Sequence, residues 1–346
     1  MAKKAVEQSE TAVSARAVAV RSIIVSWFRE NGRDLPWRRT RDPWRILVSE
    51  VMLQQIQVKR AIPFYGRFLQ RFPTVEALAE APLAEAIRTW GDLGRYRRVV
   101  NLHRTARIVV EEHGGRLPSD PEVLVKFPGI GPYTAGAVAC FAFERDVPFY
   151  DTNMHRVLHR VFYGPEVPKP RAGPKEILAL ASDLVPAGDG WAWNQAVMEF
   201  GALRCTARKP LCEDCPLQTH CEAHPGMLEV LAGLPRGTKN GRAANYEDSN
   251  RYLRGRVLAV LRDADQKEVV LGEIARSVLN EAGEGKLARM REVVASLEAD
   301  GLARVAAENH HRPPVVPPGA VAEERADYDV GPLPKEDLAA LRVSLP

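Results

Sequence analysis

The sequence predicts an all-α fold over residues 18–222, followed by a smaller, mostly helical domain. Apolar residues recur at a spacing near 3.6 throughout the first region, which is the period of an amphipathic helix. Alternating β-patterns of useful length are scarce there, and Gly, Pro and Asp separate successive helical segments. At 346 residues and 45% hydrophobic, the chain is long enough for two or three globular units with their own cores.

The segments with helical spacing follow one another closely along this first region. In chain order they are AVRSIIVSWFREN, DPWRILVSEVMLQQIQV, AIPFYGRFLQRF, TVEALAEAPLAEAIRTW, YRRVVNLHRTARIVVEEHG, DPEVLVKF, YTAGAVACFAF, NMHRVLHRVFYG, PKEILALASDLVP and WAWNQAVMEFGALRC.

The rest of the chain divides by composition. Residues 1–17 are predicted to be a flexible N-terminus, and residues 223–249 form a linker rich in Gly, Asn and charge. Residues 250–310 contain three predicted helices, the last running into a short strand, in an order that resembles a winged helix. Residues 311–346 are Pro-rich and are predicted to be an extended or disordered tail.

Charge permits a nucleic-acid partner without requiring one. The net charge is +4 with a pI near 8.8, and the segment GRYRRVVNLHRTAR at 94–107 is locally basic. A solvated helix face is the alternative interpretation of that segment. No run of about 18 apolar residues occurs and the N-terminal residues are polar, so we expect a cytoplasmic protein without a membrane role.

Four cysteines are gathered within seventeen residues of the segment CTARKPLCEDCPLQTHC. Cys205, Cys212, Cys215 and Cys221 have the spacing C-x6-C-x2-C-x5-C, which can wrap a [4Fe–4S] cluster. A four-cysteine zinc site is the serious alternative, although such sites usually use two short pairs. Disulfides are not expected in a chain without a secretion signal, and Cys140 is expected to be a small buried residue.

The segment PGIGPYTAGAV places two glycines just before a predicted helix. Gly129 and Gly131 let the turn expose backbone N–H groups at the helix N-terminus, where a phosphate is attracted. A plain corner between two helices is the alternative. The order of this hairpin, the following VPFYDTN and the cysteine array resembles the helix-hairpin-helix DNA glycosylases. Within that superfamily, the array resembles the branch that contains endonuclease III and the MutY-type adenine glycosylases.

Several segments resemble the adenine glycosylases in particular, namely LPWR, LVSEVMLQQIQV, NLH, DTNMHRV and WNQAVMEFGALRCTARKPLCEDC. The resemblance implies a helix-hairpin-helix glycosylase fold with an iron–sulfur loop at 205–221. It also implies that a bacterial, nucleoid-associated monomer removes mispaired adenine from double-stranded DNA containing a mismatch or oxidised guanine. The lyase branch carries a lysine at the position of Tyr133. The tyrosine therefore predicts a monofunctional enzyme that leaves an abasic site.

The resemblance assigns roles to two carboxylates. It implies that Glu50 protonates the purine leaving group and then activates water, which requires a pKa raised by burial. It implies that Asp151 stabilises the oxocarbenium-like sugar, and that Asn153 and Tyr133 lie beside the reacting sugar. On spacing alone, Glu50 pointing to solvent and Asp151 acting as an N-cap of the next helix are the structural alternatives.

Recognition residues follow from the same resemblance. The family positions that line the adenine pocket are occupied by Trp37, Arg38, Leu53 and Glu199, of which Trp37 and Leu53 are equally consistent with a core role. Gln55 and Tyr96 match residues that wedge into the duplex. Arg95 departs from the pattern, because the family commonly shows two adjacent tyrosines.

The C-terminal region is a larger departure. Residues 250–310 lack the pattern of the β-rich Nudix-like domain that reads 8-oxoguanine in the best-known relatives. The choice of opposite base is therefore open. A thymine or uracil mismatch glycosylase and a catalytically silent DNA-binding module are the other candidate functions.

Overall fold

A computed structural model describes residues 2–224, 226–235, 247, 249–264, 267–306 and 337–346. The described chain is mostly helical, which confirms the predicted all-α class. Sixteen α-helices occur in these ranges: α1 (Ala2–Asn31), α2 (Pro43–Leu53), α3 (Val58–Arg71), α4 (Val75–Glu80), α5 (Leu83–Trp90), α6 (Arg97–His113), α7 (Pro121–Leu124), α8 (Pro132–Phe143), α9 (Thr152–Phe162), α10 (Pro174–Leu184), α11 (Gly190–Leu203), α12 (Met227–Ala232), α13 (Asn250–Asp263), α14 (Leu271–Leu279), α15 (Glu284–Ala299) and α16 (Asp337–Ala340). Within the described ranges, no helix is both long enough and apolar enough to cross a membrane.

Short 3-10 helices occur at Pro36–Arg38, Gly91–Leu93 and Gln218–His220. Three short strands are described: β1 (Glu268–Val270), β2 (Arg304–Val305) and β3 (Arg342–Ser344). The chain divides into two compact units, so the predicted 18–222 domain is not one contiguous body. Unit 1 contains residues 1–65 and 108–240, and unit 2 contains residues 66–107 and 241–346.

Unit 1 is built from helices that bury one another's apolar faces. Helix α1 packs against α11, α11 packs against α9, and α2 packs against α8. Helices α9 and α11 approach closely at Gly201 of α11, where an added Cβ would lie 2.8 Å from the backbone oxygen of Asn153 on α9. Helices α7 and α8 form a helical hairpin whose connecting turn contains Gly129 and Gly131.

Unit 2 joins the basic segment to the C-terminal residues. Strand β3 is central in an antiparallel sheet of order β1-β3-β2, and Val343 on β3 faces both Val269 and Val305. Helices α13, α14 and α15 pack on one another beside this sheet, and α13 also contacts α5.

Three boundary predictions need correction. Residues 2–17 belong to α1 rather than to a flexible N-terminus, because the helical segment that follows is continuous with them. The predicted tail 311–346 is not wholly extended. Its residues 337–346 contain α16 and β3, since Val343 becomes completely buried when β3 pairs with both neighbouring strands. The predicted linker 223–249 is not wholly unstructured, because it contains α12 (Met227–Ala232), whose Met227 is buried. Residues 225, 236–246 and 248 of that linker and residues 311–336 of the tail lie outside the described residues.

Candidate active site

Glu50 lies in the middle of α2 and is only 5% exposed. Helix α2 begins at Pro43 after Asp42, whose side chain accepts a hydrogen bond from the Arg45 backbone N–H. Burial raises the pKa of Glu50 to about 7, the charge of Asp151 adds to the rise, and a hydrogen bond with Tyr133 opposes it. The solvent-facing alternative is therefore wrong. A carboxyl with this pKa retains a proton near neutral pH.

Asp151 is the N-cap of α9, as the structural alternative predicted. Its Oδ1 accepts a hydrogen bond from the Met154 backbone N–H at 2.7 Å, and its Oδ2 accepts one from Asn153 Nδ2 at 2.9 Å. Burial raises the pKa of Asp151, while these two donors lower it. The cap leaves Asp151 electrostatically coupled to Glu50, so capping and a catalytic role are compatible.

A chain of hydrogen bonds connects Asp151 to the cysteine loop. Asn153 Oδ1 accepts a hydrogen bond from Arg156 Nη2 at 2.8 Å, and Arg156 Nε donates to the backbone oxygen of Cys205 at 2.7 Å. Arg156 Nη2 also donates to the backbone oxygen of Gly201 at 2.6 Å. The loop that begins at Cys205 therefore helps to hold the amide that orients the Asp151 carboxylate. Sequence reasoning missed Arg156, although its i,i+3 spacing from Asn153 on a helix was a usable signal.

The turn of the hairpin presents backbone groups at the N-terminus of α8. Gly129 has φ +76°, and Gly131 is the N-cap of α8, where an added Cβ would meet no atom within 4 Å. Gln54 reaches this turn, because its Nε2 lies 3.5 Å from the Gly129 oxygen. The next residue, Gln55, is exposed and has φ +58°, so it projects from a tight turn at the end of α2.

Glu199 and Arg38 are buried in one ion-pair network. Glu199 Oε1 accepts hydrogen bonds from the backbone N and the Nε of Arg33, and Oε2 accepts from Arg33 Nη2 and Arg38 Nη2, all at 2.8–2.9 Å. Burial alone would raise the pKa of Glu199, but these donors lower it to about 2. Arg38 Nε donates to Gln195 Oε1 at 2.8 Å. Sequence reasoning missed Arg33 and Gln195, which nothing in local spacing marks.

This network changes the interpretation of two predicted pocket residues. The Glu199 carboxylate accepts four hydrogen bonds from Arg33 and Arg38, so both of its oxygens already have partners in the DNA-free protein. Arg38 is held in the same way, but its charge still lowers the pKa of Glu50. We therefore expect Arg38 to tune Glu50 rather than to read a base edge.

The remaining recognition residues differ in how far they are buried. Trp37 is 5% exposed and packs edge-on against Tyr65 with ring centroids 5.4 Å apart, in agreement with the core alternative. Leu53 is partly exposed at the last residue of α2. Tyr96 lies in unit 2 and is 8% exposed, so its ring is covered rather than projecting.

The four loop cysteines line one small, almost wholly apolar cavity together with Arg160 and Phe200. Arg160 is 1% exposed, and its Nη1 lies 3.6 Å from Cys205 Sγ. No three His, Cys, Asp or Glu side chains within the described ranges lie close enough to share one metal ion. Each cysteine of a four-iron cluster binds a different iron, so a loop that brings four thiols to one apolar cavity fits such a cluster.

The hairpin, the paired carboxylates and the cysteine loop together define a helix-hairpin-helix protein of base-excision DNA repair. Residues 48–186 match the family described as HhH-GPD superfamily base excision DNA repair protein. Residues 205–221 match the iron-sulfur binding domain of endonuclease III. These bounds coincide with the first and last of the four cysteines, and the chain carries a [4Fe–4S] cluster there, which confirms the predicted cofactor.

Relatives narrow the class further. An adenine DNA glycosylase from Mycolicibacterium smegmatis is 42% identical over 243 residues, which cover 70% of this chain and 80% of that protein. The chain therefore belongs to the adenine DNA glycosylase family. The human adenine DNA glycosylase is 41% identical over 218 residues, covering 60% of this chain and 40% of that protein.

Solved structures support the same fold. A thermostable thymine-DNA glycosylase is 31% identical with a TM-score of 0.57, covering 61% of this chain and 98% of that one. A trapped endonuclease III–DNA covalent intermediate is 22% identical with a TM-score of 0.52, covering 59% of this chain and 92% of that one. The second likeness shows a shared fold.

Proposed function

We propose that this chain is a monofunctional glycosylase that removes adenine paired with 8-oxoguanine or guanine in double-stranded DNA. It hydrolyses the N-glycosidic bond and leaves an abasic site. The observation that carries the proposal is Glu50, a buried carboxyl with a pKa raised to about 7 beside the ionisable Asp151. Relatives of this chain in bacteria and mammals bear the name adenine DNA glycosylase, which supports adenine as the substrate base.

The two carboxyls can hold different protonation states. Asp151 accepts hydrogen bonds from a backbone N–H and an amide, and both favour its ionised form. A negative charge on Asp151 then disfavours a second one on Glu50, so the shared proton stays on Glu50. Glu50 donates this proton to the departing purine and subsequently activates the attacking water. The ionised Asp151 stabilises the oxocarbenium-like sugar.

Tyr133 accounts for the monofunctional character. It occupies the first turn of α8, and burial raises the pKa of its phenol well above the usual value. A neutral phenol can hydrogen-bond Glu50, but it offers no amine for a Schiff base with the sugar. The backbone of the resulting abasic site is therefore expected to remain intact until alkali is added.

The hairpin is the proposed phosphate contact. Open space at Gly131 and the exposed N-terminus of α8 leave room for a phosphate to approach backbone N–H groups. Gln55 projects from its turn as the proposed wedge into the duplex, and Tyr96 is the proposed second wedge. The cluster provides a structural brace for loop 205–221.

The deciding experiment is a panel of duplexes containing A·8-oxoG, A·G, T·G and U·G, each analysed with and without alkali. We expect release of adenine from the first two and strand cleavage only after alkali. Release of thymine or uracil instead would identify a mismatch glycosylase of the kind named in the 31% identical structure. Cleavage without alkali would refute the monofunctional assignment.

Removal of the Asp151 charge tests the different roles proposed for Glu50 and Asp151. Asp151→Asn retains an oxygen that can cap α9, so the protein should fold, but the charge facing the sugar is lost. We expect single-turnover excision to fall by at least a hundredfold, a conservative figure for a transition-state charge interaction. An unchanged rate in the folded variant would remove Asp151 from the mechanism.

A further inference from the structure

Tyr96 is covered inside unit 2, where helix α13 reaches its hydroxyl. Its ring is 8% exposed, and its hydroxyl accepts a hydrogen bond from Arg262 Nη1 at 3.1 Å. The other edge of the same guanidinium is held by Asp263, because Nε and Nη2 lie 2.7 and 2.8 Å from its two carboxylate oxygens. Asp263 therefore fixes the orientation of Arg262, and Arg262 in turn holds the phenol of Tyr96.

The position of α13 is itself fixed by contacts within unit 2. Arg254 on α13 is paired with Asp300 at the end of α15, and Arg97 on α6 lies 3.9 Å from the same carboxylate. Helix α13 also packs against α5. These contacts keep Arg262 beside the start of α6, where Tyr96 and its exposed neighbours Arg95 and Arg97 lie.

A side chain that inserts between base pairs must present its ring to the DNA, and Tyr96 does not. We propose that Arg262 is a specificity-determining residue that holds Tyr96 in this covered position, so that insertion requires the hydrogen bond to break. The proposal rests on the wedge role given to Tyr96 in the proposed function. Insertion of the Tyr96 ring is then suppressed in fully paired DNA and occurs where a mismatch has already weakened base stacking.

The surroundings of Arg262 allow such a release. Arg262 and Asp263 line an open cavity of about 830 Å³, so solvent reaches this ion pair from outside unit 2. The wall of the cavity carries charges of both signs, from Arg67, Arg71, Arg88, Glu85 and Asp92.

The covered position is tested directly by nitration of tyrosines in DNA-free protein, with the peptide that contains Tyr96 quantified by mass spectrometry. Arg262→Gln should raise nitration at Tyr96 several-fold. The matched control is Arg256→Gln, which removes an equal charge from an exposed position on the same helix and should leave nitration unchanged. Equal nitration of Tyr96 in the parent and Arg262→Gln would overturn the proposal.

Binding to matched and mismatched duplexes tests the consequence. Tyr96→Phe keeps the ring but removes the oxygen that Arg262 binds, so both Tyr96→Phe and Arg262→Gln should bind a fully paired A·T duplex about tenfold more tightly. The double variant should show no further gain, because the same hydrogen bond is lost. Additive effects, or weaker binding in Arg262→Gln, would overturn the proposal.

These readouts do not depend on adenine release. If the parent removes no adenine from any duplex, the proposed function fails while nitration still decides whether Arg262 covers Tyr96. If the parent removes adenine and Arg262→Gln discriminates between A·8-oxoG and A·T as well as the parent does, only the specificity role is overturned.

Discussion

Glu50 is an ionisable residue in the protein interior, a combination that is uncommon in proteins. It is ionisable, yet it lies in a helix segment whose other residues, such as Leu47 and Met52, are completely buried. Removal from water penalises the carboxylate form, so the pKa rises to about 7. The folded state binds a proton that the unfolded state releases above its ordinary pKa of 4.5. Stability therefore falls as pH rises from about 4.5 to 7, and the lost stability is not regained above that range.

Glu50→Gln should abolish adenine release while increasing stability at alkaline pH. The amide cannot protonate the purine, but it removes the buried charge, which destabilises the parent by up to roughly 3 kcal/mol above pH 7. Thermal unfolding at pH 8 and single-turnover excision measure the two effects. Glu112→Gln, on an exposed face of α6, is the control and should change neither. Excision near the parent rate in Glu50→Gln would show that another acid acts.

The pH dependence of the parent provides an independent test. Glu50 must be protonated, so the single-turnover rate should fall as pH rises through about 7, approaching tenfold for each further unit. Asp151 must be ionised, so the rate should also fall as pH drops through its raised pKa. A bell-shaped profile is expected from assays between pH 4.5 and 9. A rate that stays flat from pH 7 to 9 would contradict the role of Glu50.

At the scale of elements, two glycines serve opposite purposes. Gly131 lies where a side chain would meet no protein atom, whereas Gly201 lies where a side chain would collide with α9. The first glycine leaves space outside the protein, and the second permits close helix packing inside it. Glycine thus leaves open space at the N-terminus of α8, where we propose a phosphate contact, and permits close packing between α9 and α11.

Gly131→Leu should weaken binding to every duplex by about tenfold, because we propose that the hairpin contacts the DNA backbone rather than the bases. The substitution should not reduce stability, because no protein atom lies within 4 Å of the added Cβ. The Gly131 φ of −92° accepts any L residue. Gly201→Ala is the contrasting variant and should reduce the free energy of unfolding by roughly 1–3 kcal/mol through overpacking. Binding isotherms and thermal unfolding of both variants check this. Selective loss for one mismatch in Gly131→Leu would contradict the phosphate assignment.

At the scale of the whole molecule, the cofactor gives a simple test. Protein purified without oxygen should be yellow-brown and contain about four irons per chain, because each loop cysteine binds one iron. Metal analysis and visible absorbance are the measurements. Stoichiometric zinc without iron would show that the loop is a zinc site. Cys140, which lies buried in α8, should be dispensable for iron content and serves as the control in a Cys140→Ala variant.

The C-terminal strand should be essential for the stability of unit 2. Val343 is completely buried at the centre of the sheet, so Val343→Asp should destabilise the unit by several kcal/mol. Arg342→Ala changes an exposed neighbour on the same strand and should have little effect. Limited proteolysis with mapped cleavage sites measures the difference. Equal resistance of Val343→Asp and the parent would show that β3 is not required.

Much of this protein was determined by local sequence. The cysteine spacing predicted the cluster, and the helical period predicted the class of fold, because both depend on residues close together in the chain. The segment VPFYDTN also placed Asp151 at a helix N-terminus, since N-caps are chosen by adjacent residues. The raised pKa of Glu50 was expected from resemblance, and its burial supports that expectation.

Only the tertiary structure decided which distant residues meet. Glu199 proved to be saturated by arginines more than 160 positions away, and Tyr96 proved to be covered by Arg262, 166 positions along the chain. Strand β3 joined the sheet from a segment whose composition indicated a tail. Such pairings depend on which faces pack together, and helical periodicity identifies a buried face without identifying its neighbour. The contacts between residues far apart along the chain are therefore those that the sequence did not predict.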